Sequence, residues 1–538
     1  MWRLARNSLN AATRSKLPYP SHFQKRCIST AHVDSSIREF VSTLASRQPV
    51  FQLCSSSVRI LTEPSQFHAR LLEMINKAEH RIFISSLYIG SDESELISVL
   101  SRRLRMRPNL QLKMVLDLNR STRPGSDSTA KLLLPLIEEF PFRVRISLFR
   151  SPSLRGIMAK IVPPRFNEGW GTWHAKIYGI DDDVMISGAN LNKSYFTNRQ
   201  DRYFSFSGEK SLANYCHDFM EIVTPFSYNL MPTVSPLDIQ INPHSYSHED
   251  YTLHWPDPNT HPHHFHSAAE KAFSQFQNLH RASVKKAMSD DPATFAQTPL
   301  LIPIIQAGQF NIREEESTIQ LLFRKLSKGS GNGRPLLDLT SGYFSLYTPY
   351  QDLVLNTTNV DCRIVAASPK ANGFYGSKGI SGRIPEGYTL HEKRFMQAVS
   401  KAGRLWKGPS ATEGQGVLLT EWEKPGWTYH AKGIWLSPAP SAPPVLTLFG
   451  STNLNSRSAH IDTELSFFMI LPSEPQVTAF DSSAGRLPAP IDQPLHTLRR
   501  DLASEIAGIR SSARKWKGDE RNVRWTTKFI VWAVKGML

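Results

Sequence analysis

The sequence predicts an α/β protein made of two similar domains in tandem, and three observations support that prediction. At 538 residues the chain is too long for one hydrophobic core, since domains usually hold about 100 to 200 residues. Helical and strand patterns alternate along both halves, which is typical of layered α/β domains with a mixed or largely parallel sheet. One block also occurs twice, as "GTWHAKIYGIDDD" from Gly171 and "GWTYHAKGIW" from Gly426. Such self-similarity indicates a duplicated unit.

The predicted elements follow one another in the same way in both halves. In the first half, "SQFHARLLEMINKAEH" has apolar residues at helical spacing, and "RIFISSLYIG" has the density of a buried strand. There follow a helix near Glu93 to Arg107, the strand "LQLKMVLDLN", a helix near Thr129 to Phe140, the strand "VRISLFR" and the His174 block as the next strand. The second half repeats this with the helix "EEESTIQLLFRKLSK", the strands "PLLDLTSGYFSLY" and "VDCRIVAASP", the helix "HEKRFMQAVSKAG", the strand "GVLLTEW" and the His430 block.

These patterns divide the chain into five segments. We predict a leader over 1–33, a first domain over 34–235, a His- and Pro-rich linker or insertion over 236–300, a second domain over 301–485 and a C-terminal helical tail over 486–538. The insertion holds seven histidines between His244 and His266, but zinc sites usually add Cys or carboxylate at fixed short spacing, so we expect a solvated loop there. The composition of the tail suits either a helix in a membrane interface or a terminal helix packed on the body.

The charge of the chain predicts an anionic partner. The formal net charge is +16, which fits lipid, nucleotide or nucleic acid. The first thirty-three residues hold six Lys or Arg and no acid, which predicts a mitochondrial presequence cut before Ser29, with a disordered basic tail as the alternative. Basic residues elsewhere are scattered, without a run that interleaves aromatics, so we expect no nucleic acid partner.

Cysteine spacing and hydropathy limit the class further. The four cysteines show no paired spacing, so neither a disulfide framework nor a zinc site is indicated; they are Cys27, Cys54, Cys216 and Cys362. No apolar run approaches the roughly 18 to 20 residues that span a bilayer. We therefore expect a soluble or peripheral protein.

The repeated blocks carry the chemistry. Residues i and i+2 of a strand point to the same side, so His174 with Lys176, and His430 with Lys432, each present an imidazole beside an ammonium group. That pairing suits a phosphate. Two such half-sites facing each other would surround one phosphorus, where one histidine attacks as nucleophile and the other acts as general acid and base. This scheme requires no metal and no other cofactor.

Two further pairs of residues recur at matching positions. The blocks "SGANLN" and "GSTNLN" supply Asn190 and Asn453, whose amides can donate to phosphate oxygens. Asp201 and Glu464 follow these asparagines at the same spacing, and each can accept a hydrogen bond from a histidine ring nitrogen and so fix its tautomer. Which carboxylate serves which ring stays open.

The arrangement H-x-K-x4-D followed by a G/S-x-N block resembles the phospholipase D superfamily. His174, Lys176 and Asp181 fit that motif fully, whereas Ser437 stands where the second copy should have its aspartate. A proline-rich insert, "SPAPSAPPV", also lengthens the path to Gly450. The resemblance implies two tandem phospholipase D-like α/β/α sandwich domains with the active site at their interface.

Within that superfamily the chain most resembles the eukaryotic mitochondrial phosphatidylglycerophosphate synthase family. The resemblance is carried by the leader and by the segments "HAKGIW", "SPKANGFYGSKGISGRIPEGYT" and "LDLNRSTRPG". It implies a ping-pong reaction in which His174 attacks the phosphatidyl phosphorus of CDP-diacylglycerol and releases CMP. The sn-1 hydroxyl of glycerol 3-phosphate then displaces the phosphohistidine, with His430 as general acid and base. It also implies peripheral association with the anionic inner mitochondrial membrane on the matrix side, and leaves open the oligomeric state and any dependence on a divalent cation.

Two sets of residues are candidate substrate contacts. Five cations near a strand end or in a glycine-rich loop could bind phosphate: Arg120, Arg123, Lys370, Lys378 and Arg383. The segment "SSLYIGSD" ends a strand and could touch nucleotide phosphates, although it lacks the pattern of a P-loop. Its residues are Ser85, Ser86, Leu87, Tyr88, Ile89, Gly90, Ser91 and Asp92.

Three other functions stay open on the sequence alone. The same motifs would serve a hydrolase, either a phospholipase D or a nuclease, in which water takes the place of the acceptor. They would also serve another CDP-diacylglycerol-dependent phosphatidyltransferase, such as a phosphatidylserine or cardiolipin synthase. A decayed, non-enzymatic member that binds anionic lipid is supported only by the missing second aspartate.

Overall fold

The computed structural model describes residues 32–124, 128–156, 162, 164–233, 242–290, 298–328, 333–473 and 493–533. The predicted leader and Cys27 therefore lie outside the described residues, apart from residues 32 and 33.

The described chain alternates strands and helices in both halves. The strands are β1 (Phe51–Gln52), β2 (Val58–Leu61), β3 (Arg81–Ser86), β4 (Gln111–Asp117), β5 (Val144–Phe149), β6 (Ile177–Ile180), β7 (Asp183–Ser187), β8 (Arg199–Gln200), β9 (Tyr203–Phe206), β10 (Ser227–Pro232), β11 (Tyr246–Ser247), β12 (Tyr251–His254), β13 (Leu300–Ala307), β14 (Ile312–Arg313), β15 (Leu336–Ser341), β16 (Asp361–Ala367), β17 (Val417–Trp422), β18 (Thr428–Tyr429), β19 (Lys432–Ser437), β20 (Leu446–Gly450), β21 (Thr463–Ile470) and β22 (Ala513–Lys515). The α-helices are Arg38–Ala45, Pro64–Lys77, Ser94–Met106, Leu118–Ser121, Thr129–Glu139, Lys193–Thr197, Lys210–Glu221, His266–Asp290, Glu314–Lys328, Thr348–Asn356, Ile384–Lys401, Ser456–His460, Gln493–Ser511 and Trp525–Ala533.

The described residues form two large mixed sheets of ten strands each. One has the order β11-β12-β10-β5-β4-β3-β6-β7-β9-β2, and the other β1-β13-β21-β20-β19-β15-β16-β17-β22, with β14 pairing with β13. Parallel pairing joins β3, β4 and β5 in the first sheet and β15, β16 and β17 in the second. The same plan thus occurs twice, and the predicted pair of α/β domains is confirmed.

Local sequence signals account for the first helix–strand unit. The helix Pro64–Lys77 begins with proline at a position where no backbone donor is needed, and Glu63 and Gln66 form a capping box. Its apolar residues Phe67 and Leu71 recur at helical spacing and are fully buried. The strand β3 that follows is buried along nearly its whole length, as expected of a central strand with helices on both faces.

The start of the chain packs on the second domain. Phe51 in β1 pairs with Leu301 in β13, at the edge of the second sheet. The helix Arg38–Ala45 buries Phe40 in the core of the second domain. These contacts join residues that are far apart in the sequence. Local patterns could therefore not show that the segment after residue 34 contributes to the second domain.

The insertion is more regular than a solvated loop. Strand β12 pairs with β10 and so extends the first sheet. The helix His266–Asp290 follows, and Phe265 and Phe273 are buried in the core of the first domain. The expectation of a solvated loop is therefore wrong for these parts, because their apolar residues cover one end of the first sheet.

The tail is also part of the body. The helix Gln493–Ser511 buries Leu498 and Leu502 in the core that it shares with the first domain. Strand β22 then pairs with β17 of the second sheet. No helix among the described residues is both long and apolar enough to cross a membrane. Where the structure describes them, the cysteines are free, namely Cys54, Cys216 and Cys362.

Candidate active site

Two short backbone pairings join the halves at the repeated blocks. Strand β18 runs parallel to β8, and the backbone N–H of His430 donates to the carbonyl of Gln200 at 2.8 Å. In the same way Trp173 and Thr463 form an isolated parallel β-bridge, and the backbone N–H of His174 donates to the Thr463 carbonyl at 2.9 Å. Each histidine therefore lies next to the carboxylate-bearing segment of the opposite half.

The histidine–carboxylate pairs are crossed between the halves. His174 Nδ1 lies 2.9 Å from Glu464 Oε2, and His430 Nδ1 lies 2.6 Å from Asp201 Oδ2. Both carboxylate side chains are fully buried. With Nδ1–H donating to the carboxylate, the Nε2 atom of each ring carries the lone pair. The sequence left this pairing open, and the structure assigns it.

Burial sets the protonation of the two rings. It lowers the pKa of His174 against the opposing charge of Glu464. Burial, reinforced by Lys432, lowers the pKa of His430 well below its ordinary value. Burial opposes ionisation of Glu464, yet His174 and Lys176 hold the pKa of this carboxyl at about 2. Both rings are therefore neutral at pH 7 and both carboxylates are charged.

The two lysines lie behind the histidines. Lys176 Nζ donates to the backbone carbonyl of His174 at 2.6 Å. Lys432 Nζ lies 2.7 Å from His430 Nδ1 and 3.3 Å from Asp201 Oδ2. Both are buried, and burial lowers the pKa of Lys176 to about 7. Neither lysine lines the cavity in front of the histidines, so direct contact with a phosphate stays a prediction.

A cavity of about 650 Å³ lies in front of both histidines. His174, His430, Asn190 and Asn453 all line it. The Asn190 amide donates to the hydroxyl of Tyr195 at 3.2 Å. The Asn453 Oδ1 atom is buried and has no hydrogen-bond partner among the described residues. The structure thus brings the predicted histidines and asparagines of both halves to one site.

The predicted phosphate ligands divide into two groups. Arg120, Arg123 and Arg383 line the cavity, whereas Lys370 and Lys378 are exposed and do not line it. The last two therefore lie outside the site, because the loop that carries them turns these positions to solvent.

The predicted nucleotide segment touches the cavity only in its middle. Leu87 and Tyr88 line it. The hydroxyl of Ser85 donates to the carbonyl of Ala175, and that of Ser86 donates to the carbonyl of Tyr88. Ser85 therefore joins β3 to the segment that carries His174, and Ser86 closes the turn after β3. The last four residues of the segment do not line the cavity: Ile89, Gly90, Ser91 and Asp92.

Asp181 belongs to a turn and not to the site. It lies between β6 and β7 with a positive φ of 51°. Its carboxylate accepts backbone N–H groups of Glu79, His80 and Arg81 at 2.8 to 2.9 Å. It does not line the cavity, and these contacts give it a structural role in the turn. The serine at the matching position of the second copy, Ser437, also does not line the cavity.

Several site residues were not predicted. Tyr195 and Tyr343 flank His430, with ring centroids 5.2 and 5.3 Å from its ring. Arg199 and Arg457 also line the cavity. Tyr195 and Arg199 lie between Asn190 and Asp201, so the repeated blocks could have pointed to them. Nothing local in the sequence distinguishes Tyr343.

Asp117 is a further unpredicted residue that positions the site. It ends β4 within "LDLNRSTRPG", and its carboxylate accepts the backbone N–H groups of Arg120 and Trp173 at 2.9 and 3.2 Å. Burial raises its pKa to about 8, helped by the charge of Glu168. Asp117 therefore joins a cavity-lining arginine to the segment that carries His174.

The segment "HAKGIW" locks the second half-site to the rest of the molecule. Trp435 stacks on the guanidinium of Arg202 at 3.7 Å and donates to Glu505 at 2.9 Å. Gly433 has a φ of 137°, and a Cβ on it would lie 2.3 Å from Arg202 Nη1. Glycine is therefore required beside Lys432.

The chain contains two copies of one α/β plan, and each contributes a buried His–Lys pair beside one shared cavity. Phosphatidylserine synthase from Haemophilus influenzae shares the fold, with a TM-score of 0.61 over 94% of this chain and 98% of that chain at 18% identity. The chain matches no protein-family model.

Relatives identify the family. The CDP-diacylglycerol–glycerol-3-phosphate 3-phosphatidyltransferase of Schizosaccharomyces pombe is 34% identical over 460 residues, which cover 79% of this chain and 87% of the relative. The mitochondrial protein of that name from Homo sapiens is 34% identical over 452 residues, with 79% and 76% covered. The chain belongs to the family of CDP-diacylglycerol–glycerol-3-phosphate 3-phosphatidyltransferases.

Proposed function

We propose that this protein transfers the phosphatidyl group of CDP-diacylglycerol to the sn-1 hydroxyl of glycerol 3-phosphate, giving phosphatidylglycerophosphate and CMP. This reaction is the committed step towards phosphatidylglycerol and cardiolipin. The observation that carries the proposal is the crossed pair of neutral histidines, each bound to a carboxylate of the other half and both facing one cavity. The family to which the chain belongs supports the choice of substrates.

In the first half-reaction, His174 Nε2 attacks the phosphatidyl phosphorus. A P–N bond forms while the P–O bond to CMP breaks. His430 takes a proton from solvent at Nε2 as the anionic substrate binds, and it gives that proton to the departing oxygen. His174 is neutral and Glu464 holds its Nδ1–H, so the positive charge that develops on the ring is stabilised by a buried carboxylate.

In the second half-reaction, the acceptor hydroxyl displaces the phosphohistidine. Its proton passes to His430, whose pKa is lowered in the free protein and which is therefore ready to act as a base. An O–P bond forms and the P–N bond breaks, which returns His174 to its starting state. Asp201 holds His430 in the required tautomer throughout.

The scheme uses only side chains of this chain, and we propose that no metal and no other cofactor takes part. Within the described residues, no three His, Cys, Asp or Glu side chains converge in a way that would hold a metal ion. Activity measured after treatment with a chelator, and again after addition of Mg²⁺ or Mn²⁺, tests this point. Loss with the chelator and recovery with one ion would overturn it.

A product assay tests the proposed reaction. Labelled CDP-diacylglycerol in mixed micelles is offered with glycerol 3-phosphate, serine, phosphatidylglycerol or water alone. We expect phosphatidylglycerophosphate and CMP only with glycerol 3-phosphate, and no turnover in His174→Ala. His248→Ala serves as the matched control, because this exposed histidine lies in the insertion. Equal formation of phosphatidate without any added alcohol would instead make the protein a hydrolase.

We also propose that the protein acts on the matrix side of the inner mitochondrial membrane. The basic, acid-free start of the sequence supports import, and several relatives are named mitochondrial. A fluorescent fusion of the full chain should colocalise with mitochondria, and one that lacks residues 1–33 should stay in the cytosol. Protease protection in swollen mitochondria distinguishes the matrix side from the intermembrane space.

The helix Trp525–Ala533 supports peripheral binding to the anionic membrane. Trp525, Phe529 and Trp532 lie on one face and are 77%, 60% and 69% exposed. On the opposite face, Thr527 and Val531 line the cavity. Exposed aromatics beside a lipid-substrate cavity suit the interface between headgroups and acyl chains. We propose that this aromatic face, formed by the three exposed side chains, docks on the bilayer.

Vesicle co-sedimentation tests the docking. Vesicles with phosphatidylglycerol should bring down the wild type, and replacement of all three aromatic-face residues by Ala should weaken binding at least tenfold. Phe142→Ala is the matched control, because Phe142 is 95% exposed outside this face. Equal binding of the triple variant would exclude the aromatic face as the docking surface.

A further inference from the structure

The cavity carries arginines on two sides, and they differ in how their charge is balanced. On the His174 side, Arg120 lies 3.3 Å from Glu168, and Arg123 pairs with the same carboxylate. Arg457 on that side pairs with Asp462 at 3.2 Å. These positive charges are therefore largely neutralised by the protein itself.

Arg199 lies on the His430 side and has no such partner. Its Nε atom donates to the Thr428 hydroxyl at 3.0 Å, and its guanidinium packs over the ring of Tyr195 at 4.6 Å. Within the described residues, no carboxylate lies within ion-pair distance of it. A partly buried cation without a countercharge is costly unless an anionic ligand completes the site.

The surroundings of Arg199 leave room for such a ligand. Arg199 lines the cavity together with Tyr195, Tyr343 and His430. Gly373 faces it, and a Cβ on this glycine would lie 3.1 Å from Arg199 Nη2 and 3.2 Å from the Tyr343 hydroxyl. A guanidinium and a phenol hydroxyl beside an open wall can both donate to the oxygens of one phosphate.

The order of the proposed reaction decides which phosphate this is. When His174 attacks, the departing CMP leaves on the opposite side of the phosphorus, towards His430. The acceptor hydroxyl must later occupy the place of the departing oxygen, because the second half-reaction is the first in reverse with another alcohol. The departing oxygen belongs to the phosphate of CMP itself, whereas in glycerol 3-phosphate the three-carbon chain separates the reacting hydroxyl from the phosphate. The phosphate monoester of the acceptor therefore lies beyond the reacting oxygen, on the His430 side, and brings a dianion there.

We propose that Arg199 binds the phosphate monoester of the acceptor, glycerol 3-phosphate, at a subsite beside His430. The proposal rests on the proposed function and adds to it the residue that selects a phosphorylated alcohol over a plain one. Glycerol differs from glycerol 3-phosphate only in the missing phosphate, and it cannot use Arg199. The side chain acts on specificity, while proton transfer remains with His430.

Steady-state assays of Arg199→Met with two acceptors test the subsite. The KM of glycerol 3-phosphate should rise roughly 10- to 100-fold, or about 1.4 to 2.8 kcal/mol. The ratio of kcat/KM for glycerol 3-phosphate to kcat/KM for glycerol should fall by a similar factor. The preference for glycerol 3-phosphate over glycerol should therefore collapse.

Two controls separate this effect from misfolding. Arg59→Met changes an exposed arginine outside the cavity and should leave both the KM and the ratio unchanged. Arg199→Lys keeps the charge but loses the planar fork, so its losses should lie between those of the wild type and Arg199→Met. Melting temperatures of all variants show whether each is folded.

The outcomes distinguish failure of the subsite from failure of the function. If the wild type makes phosphatidylglycerophosphate and Arg199→Met does so with an unchanged KM for glycerol 3-phosphate, the subsite is excluded while the function stands. An equal loss of turnover with both acceptors, which would leave the preference for glycerol 3-phosphate unchanged, would also exclude it. If the wild type makes no such product, the function fails and the acceptor subsite fails with it.

Discussion

His430 Nδ1 lies 2.6 Å from Asp201 Oδ2, although the two residues belong to opposite halves of the chain. The mirror contact joins His174 of the first half to Glu464 of the second. Neither half therefore contains a complete histidine–carboxylate pair. Duplication of the fold yields one active site because each copy supplies the histidine of one pair and the carboxylate of the other.

The crossed pairs predict the effect of removing either carboxylate charge. In Asp201→Asn and Glu464→Gln the shape is kept, but the amide can present its NH₂ group to the ring and favour the wrong tautomer. We expect turnover to fall about 10²- to 10⁴-fold in each, as in other histidine–carboxylate pairs. CMP release from CDP-diacylglycerol measures it.

Asp218→Asn is the matched control for these two variants. Asp218 Oδ1 lies 3.3 Å from His217 Nδ1, but neither residue lines the cavity. Turnover of this variant should equal that of the wild type. If Asp201→Asn or Glu464→Gln also kept full turnover, the crossed pairs would have no part in the reaction.

The acid limb of the pH profile should report on His174. The nucleophile must be neutral, and burial lowers its pKa below the ordinary value of 6.5. The rate of the first half-reaction should therefore fall to half of its plateau only below pH 6.5. Glu464 favours the charged ring, so the residual activity of Glu464→Gln should decline at a still lower pH. Burst measurements of CMP release across pH give the acid limb of the wild type and that of Glu464→Gln. A wild-type midpoint at or above pH 7 would contradict this assignment.

Asp181 should matter for stability and not for turnover. Asp181→Ala leaves three backbone N–H groups at the turn after Pro64–Lys77 without their acceptor. We expect a loss of about 1 to 3 kcal/mol in the free energy of unfolding, and normal turnover of the folded fraction. Its neighbour Asp182 is half-buried and lies 3.5 Å from Arg81 Nη2, so the control Asp182→Ala should cost less than about 1 kcal/mol and leave turnover unchanged. A catalytic Asp181 would show the reverse, a stable protein with little turnover.

The parts of this structure that the sequence could predict are those encoded by local pattern or by repetition. Helical spacing predicts Pro64–Lys77, and the repeated blocks predict His174, His430 and their asparagines. Which carboxylate meets which ring depends on contacts between residues 290 and 229 positions apart, for which the sequence has no local signal. A motif also records which residues recur and not what each one contacts. The motif therefore could not show that the Asp181 carboxylate binds backbone N–H groups in a turn.

Glu505 should prove essential to the assembly of the two halves, although it lies in the tail. It accepts from Arg202 Nε and Nη2 at 2.8 Å and from the Trp435 indole at 2.9 Å, and both charged side chains are buried. Glu505→Gln leaves the Arg202 charge buried without a countercharge, so we expect a loss of about 3 to 5 kcal/mol. The exposed pair Arg105–Glu139 offers the control Glu139→Gln, which should cost less than about 1 kcal/mol. Urea midpoints of both variants measure the difference, and similar midpoints would mean that the tail helix does not hold the halves together.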